Sequence, residues 1–254
     1  MVAAWRPCGG NHGTETPRSE RSDERAERGR PTLRRMSIPR TALIAGASGL
    51  VGRTLVQYLA TNPAWSAVHA LIRQGGTTFG DASTLQTHTV DYDALVTGTI
   101  DLPVATHAFC CLGTTRRKAG SDAAFRRVDF DYCMAFARSA QRAGSQHLLL
   151  VSAVGASSDS PLLYSRTKGE VEGAVTALGF RATTIVRPSF LDGDRAESRP
   201  MERLGIELGR FLPAAWRSVP VGAVTSALVH AAMHDRPGAQ VLENAALLQM
   251  NDMT

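Results

Sequence analysis

The chain has 254 residues, 43% of them hydrophobic, enough apolar content for a single domain with a sizeable core. Its net charge of +5 and pI near 9.4 do not mark a nucleic-acid-binding face, because residues 1–35 hold eight arginines against five acidic residues and the remainder is close to neutral. Cys8, Cys110, Cys111 and Cys133 lack C-x-x-C spacing, which argues against a zinc site or disulfide framework and fits a reducing, cytoplasmic compartment, and no run approaches the roughly 18 apolar residues of a membrane span.

Residues 1–35 are rich in Arg, Glu, Ser, Gly and Pro and are expected to form a disordered tail. They are too polar for a secretory signal, and their acidic residues count against a transit peptide. Met36 leads directly into the first strand, so it is the expected true start; an intact mass that includes residues 1–35 would refute that expectation. The folded domain is expected to span 36–254.

The apolar run Thr41 to Ala45 is followed at once by Gly46, Gly49 and Gly52 and then by helical spacing at Leu55, Tyr58 and Leu59. This predicts strand, tight turn, helix, with the first helical N–H groups and the positive end of the helix dipole aimed at a ligand above the strand. Gly46 lets the chain reverse, Gly49 lets a pyrophosphate approach bare backbone, and Gly52 lets the helix pack close to the strand. Gly46, Ser48, Gly49, Leu50, Val51 and Gly52 are the expected cradle of a dinucleotide.

Pro63 and Trp65 are read as a turn, and Ala67–Ile72 as a second buried strand ending at Arg73. In a Rossmann unit the residue there faces the adenosine ribose, and an arginine suits a 2′-phosphate, so Arg73 favours NADP(H) over NAD(H). Arg53 offers a second cation. Leu85–Val90 alternates as a third strand ending at Asp91, which lies beside the adenine or else caps the short segment after it. Ala105–Cys110 is a fourth strand, and Cys111, Leu112 and Gly113 follow at the carboxyl edge, where open α/β sheets bind ligands. Cys111 has no activating base in view and is read as packing rather than as a nucleophile.

Arg116, Arg117 and Lys118 form a basic cluster near the expected reacting end of the cofactor, either simply solvated or facing an anion. Ser121 and Asp122 cap a long predicted helix to Ala143, with apolar positions at Phe125, Val128, Tyr132, Ala135 and Phe136. His147–Val151 is the most apolar strand, with Ser152 at its end. Tyr164 opens a helix through Leu178, and Arg181 to Pro188 is a sixth strand. Strands alternating with helices at this rhythm predict an α/β fold, a doubly wound parallel sheet of Rossmann type.

Tyr164 and Lys168 are four apart and share a helix face. An ammonium beside a phenol favours the ionised form, so Lys168 is expected to lower the tyrosine's pKa, and Ser152 is placed to hold a substrate oxygen. Such a trio exchanges a proton with an alcohol or carbonyl while a nicotinamide exchanges a hydride. No metal site is expected: His230 and His234 share a helix face but have no third ligand in view. From about residue 189 the chain is read as a small substrate lid, including an amphipathic stretch from Met201 to Phe211 and a helix from Val221 to His234.

Over about residues 38–245 the sequence resembles the short-chain dehydrogenase/reductase superfamily. The marks are Gly46-x-x-Gly49-x-x-Gly52, Ser152 and the Tyr164-x-x-x-Lys168 pair. The segments Cys110 to Arg116, Val128 to Tyr132 and Tyr164 to Glu172 are similar to the Tat-interacting-protein-like oxidoreductase group of its atypical members. The resemblance implies NADP(H) binding, Tyr164 as the proton-transfer residue, and Lys168 also on the nicotinamide ribose. Asp129 departs from it, standing where competent relatives often carry an asparagine. The short region after Pro188 argues against a sugar-nucleotide site. The leading expectation is thus an NADP(H)-dependent oxidoreductase acting on a small carbonyl or alcohol, with a homodimer left open. Its rivals are a regulatory or scaffold protein that binds NADPH without turnover, and an epimerase- or dehydratase-like member. A semialdehyde dehydrogenase using Cys111 needs a second domain for which the chain lacks room.

Overall fold

The structure is a computed structural model that describes residues 39–76, 79–192 and 213–251. The expected tail, the Met36 start and the Met201–Phe211 stretch lie outside these residues. Seven parallel strands form one sheet: β1 Arg40–Ala45, β2 Trp65–Ile72, β3 Leu85–Thr89, β4 His107–Cys110, β5 His147–Val151, β6 Ala182–Arg187 and β9 Gly238–Glu243. Their spatial order is β3-β2-β1-β4-β5-β6-β9, which reverses direction at β1. A separate pair joins β7 Leu191–Asp192 to β8 Val219–Pro220.

Side chains alternate across a strand, so β1 feeds two cores. Ala42 and Ile44 pack on one face with Leu55, Leu59, Trp65 and Leu228; Leu43 and Ala45 pack on the other with Leu71, Phe136, Leu148 and Val171. Helices α1 Leu50–Thr61 and α7 Val221–His234 cover the first face. The second carries α2 Tyr92–Thr97, α5 Cys133–Arg142 and α6 Leu163–Thr176, with α3 Arg116–Ala119 and α4 Asp122–Arg126 leading into α5. Trp65 is not a turn residue: it opens β2, is 1% exposed, and sets its ring edge-on to His107 and Phe109.

Two parts of the chain differ from expectation. The helix over 122–142 is not uniform, because Arg127–Tyr132 is π-helical. A π turn widens the spiral and rotates the residues within it. The buried side chain of that segment is therefore Asp129 rather than Val128 or Tyr132. The region after Pro188 is also less of a lid than expected. Val221–His234 is a buried crossover helix that delivers the seventh strand, and α8 Asn244–Asn251 packs against it. The lid reading is left with 189–220, of which 193–212 lies outside the described residues.

At the amino edge of the sheet His107 and His147 flank Asp235. Oδ1 of Asp235 lies 3.0 Å from His107 Nε2 and 2.9 Å from His147 Nδ1. The remaining ring nitrogens meet Thr106 Oγ1 at 2.7 Å and Thr184 Oγ1 at 2.9 Å. A neutral tautomer of each ring, donating to the carboxylate and accepting from a threonine hydroxyl, satisfies every ring nitrogen. Asp235 caps α7 at φ +47°, a left-handed conformation that aspartate tolerates better than most residues. Among the described residues these three side chains are the one convergent group with metal-ligand chemistry; His230 and His234 are both exposed.

Candidate functional site

The carboxyl edge of the sheet gathers the residues singled out from the sequence. After β1 the chain turns at Gly46, with φ +76° and a 2.9 Å hydrogen bond from Gly49 N–H to its carbonyl. A Cβ on Gly46 would lie 2.5 Å from the Cys111 carbonyl oxygen, and one on Gly52 only 2.2 Å from the Gly46 carbonyl oxygen. Both positions therefore require glycine, Gly46 for the turn and Gly52 for the close approach of α1. Gly49 is the N-cap of α1; it and Ser48 are exposed, while Leu50 is half-buried and Val51 buried. With no capping side chain, the first turn of α1 presents backbone N–H groups and a positive dipole end outward.

Arg73 follows β2 and is exposed. Asp91 is the N-cap of α2, with its carboxylate accepting the Asp93 N–H at 2.9 Å, which is the capping alternative. Cys111 donates its N–H to the Ala45 carbonyl at 2.9 Å, tying the loop after β4 to the glycine turn. Burial pushes its thiol up to about 12, in keeping with a packing role. Leu112 is half-buried and Gly113 exposed; a Cβ at Gly113 would touch Asp129 Oδ1 at 3.5 Å and Lys168 Nζ at 3.6 Å.

Ser152 stands just past β5, 5% exposed, and its hydroxyl has no hydrogen-bond partner. An unpaired buried hydroxyl costs about 1–3 kcal/mol, so it marks a place where a ligand group fits. Tyr164 and Lys168 lie on the first two turns of α6. Close packing holds that helix in place: a Cβ at Gly169 would fall 2.2 Å from the backbone of Ser157. Tyr164 is 45% exposed, and its ring tilts against Phe125 at 5.8 Å. Lys168 is buried and pairs with Asp129, Nζ to Oδ1 at 2.7 Å, while the other carboxylate oxygen accepts the Thr114 N–H at 2.9 Å.

The electrostatics differ from the expectation of a lowered phenol. Desolvation raises the Tyr164 pKa; Lys168 pulls it down, Asp129 pushes it up, and the net shift is upward. Burial lowers the Lys168 ammonium, but the Asp129 carboxylate together with Cys133 and Tyr164 outweighs it, so its pKa lies above the ordinary value. The sequence marked Asp129 as a departure but gave no sign of the ion pair, because the two residues meet only through folding. The free Ser152 hydroxyl has no sequence signal beyond its place after an apolar strand.

No protein-family model matches the chain. Protein HTATIP2 of Rattus norvegicus is 37% identical over 217 residues, covering 83% of this chain and 89% of that protein. The mitochondrial protein FMP52 of Candida albicans is 33% identical over 182 residues, covering 69% and 78%. Among solved structures, the Bordetella bronchiseptica enzyme WbmF, crystallised with NAD+, shares the fold at a TM-score of 0.60 with 14% identity, over 85% of this chain and 78% of that one. The Rossmann-like sheet, the glycine turn and this level of identity together show that the chain belongs to the family of HTATIP2 and FMP52.

Proposed function

We propose that the chain is an NADP(H)-dependent oxidoreductase of the short-chain dehydrogenase/reductase type that interconverts a small carbonyl and its alcohol. The observation that carries this reading is the buried, unpartnered Ser152 hydroxyl at the end of the strand that leads to Tyr164 and Lys168. A polar atom left unsatisfied at the ligand edge of an α/β sheet fits a substrate oxygen better than it fits a structural role.

The residues present suit a nicotinamide dinucleotide. The uncapped start of α1 and the exposed backbone at Gly49 and Gly113 leave room for it. In this reading the amides of residues 48–52 bind the diphosphate, Arg73 meets the 2′-phosphate, and Asp91, Cys111, Leu112 and Gly113 line the remaining length. When bound, the nicotinamide supplies or accepts the hydride. Ser152 donates a hydrogen bond to the substrate oxygen, Tyr164 gives it a proton or takes one away, and Lys168 supports the phenolate. Leu162, Phe190 and Trp216 expose apolar surface on segments that follow the carboxyl ends of β5 and β6, which favours an apolar substituent on the substrate.

NADPH is expected to raise the melting midpoint, by about 2.7 kcal/mol of stabilisation at a hundredfold excess over Kd, with NADH weaker. No shift with either at millimolar levels would end the cofactor claim. A carbonyl screen then compares wild type with Tyr164→Phe, and identical NADPH consumption in both would mean a binding protein without turnover. That alternative is favoured by the one feature the oxidoreductase reading does not require, the neutralisation of Lys168 by Asp129. For compartment we retain the cytoplasm, against the mitochondrial placement in the FMP52 name; cell fractionation distinguishes the two. Among the described residues no helix is long and apolar enough to cross a membrane.

A further inference from the structure

A hydride-transfer site needs its tyrosine protonated to reduce a carbonyl and ionised to oxidise an alcohol. The groups around Tyr164 decide which state it occupies. Lys168, one turn along the same helix, favours the phenolate, but its ammonium is already engaged. Asp129 lies 2.7 Å away, with the two side chains 0% and 5% exposed. The Thr114 N–H fixes the other carboxylate oxygen, so Asp129 is held from two sides. The π-helical turn at Arg127–Tyr132 is what carries this carboxylate inward. Phe125 covers one side of the Tyr164 ring. Cys133 is the further titratable group bearing on the pair; its contact with Cys110 and its burial keep the thiol protonated, so it adds no charge. The field at the phenol is that of an ammonium partly offset by a carboxylate.

Resting on the oxidoreductase reading above, we propose that Asp129 is a positioning residue that anchors Lys168, offsets part of its charge and helps to hold Tyr164 as a neutral acid, setting the site for carbonyl reduction at neutral pH. In that reaction a hydride from the dihydronicotinamide forms the new C–H bond at the carbonyl carbon while the Tyr164 proton goes to the oxygen. The phenolate left behind takes a proton from solvent, so one hydride and one proton are consumed per alcohol formed. Reduction then stays level through neutral pH and fails only where alkali ionises the phenol; oxidation of the alcohol rises through that same range. The upward shift of the phenol, with burial as its first cause and Asp129 opposing Lys168, agrees with this arrangement.

The test is a tyrosinate difference titration of the full chain, subtracting Tyr164→Phe so that the other three tyrosines cancel. The wild-type Tyr164 midpoint is expected above 10, and a midpoint below 10 overturns the proposal without any further variant. In Asp129→Asn the midpoint is expected to fall by about one pH unit, because the carboxylate is gone and nothing offsets Lys168. A midpoint that stays or rises overturns it, and a merely structural role for Asp129 would not move it downward. NADPH affinity, measured on the same samples, separates the two claims. Failure to bind NADPH sinks the oxidoreductase reading while the titration still judges Asp129; tight NADPH binding with an unmoved midpoint sinks only Asp129.

Discussion

The two edges of the sheet each set a carboxylate among basic side chains, Asp235 half-buried and Asp129 fully buried, and they are finished differently. At the amino edge Asp235 is shared by His107 and His147, whose outer nitrogens are taken up by threonine hydroxyls; that network is closed. At the carboxyl edge Asp129 holds Lys168, but the Ser152 hydroxyl at the end of β5 has no partner and Tyr164 is open to solvent. Closed networks serve stability, whereas open ones keep bonding capacity for something that arrives later. The contrast is between these two networks rather than between whole edges, since Arg40 Nε and Trp65 Nε1 at the amino edge are also buried without partners.

The sharpest way to break this contrast is to unpair the carboxyl-edge ion pair. Lys168→Met leaves Asp129 buried without its partner, and the expected loss is about 3–5 kcal/mol in a denaturant titration. A variant as stable as wild type would mean that water reaches Asp129. At the other edge, Asp235→Ala strands two imidazole donors; a loss of about 1–3 kcal/mol is expected with NADPH affinity unchanged. Weakened cofactor binding there would show that the edges are coupled.

Acid supplies a subtler probe. Burial lowers the folded-state pKa of both His107 and His147 below their ordinary 6.5. The unfolded chain therefore binds more protons, and stability falls as pH drops through about 6.5 toward the lowered folded values. Asp235, also lowered, adds a further loss below its ordinary 3.8. Melting curves from pH 8 to 5 should show this decline, lessened in His147→Gln; an equal decline in that variant would remove the network as its source. The last stability effect has the opposite sign: Ser152→Ala removes a buried hydroxyl without a protein partner, so stability is expected to be kept or to rise, by up to about 1–3 kcal/mol. Carbonyl reduction should nevertheless fall by about a hundredfold. Substantial destabilisation with turnover intact would reverse the reading of the open edge.

Much of the fold was legible because buried parallel strands are continuous apolar runs. The apolar cores of β1, β2, β4, β5 and β6 stand out in that way, and β5 is met residue for residue. The seventh strand, Gly238–Glu243, was missed: it lies at the sheet edge, its residues are exposed or half-buried, and it carries no such run. The helix from Val221 to His234 was found but given to a lid, since nothing local says which surface an apolar helix will cover. The glycine turn and the Tyr164 and Lys168 spacing were readable because each is local. The Asp129 ion pair was not, because the π turn changes which side of the helix faces inward while leaving the apolar pattern around it nearly helical.

The fit between Gly46 and the Cys111 carbonyl reaches beyond the turn itself. Because position 46 admits no side chain, the loops after β1 and β4 are locked together, and neither can be reshaped by a single substitution there without displacing its neighbour. Descendants of this chain that acquire new substrates would have to vary elsewhere.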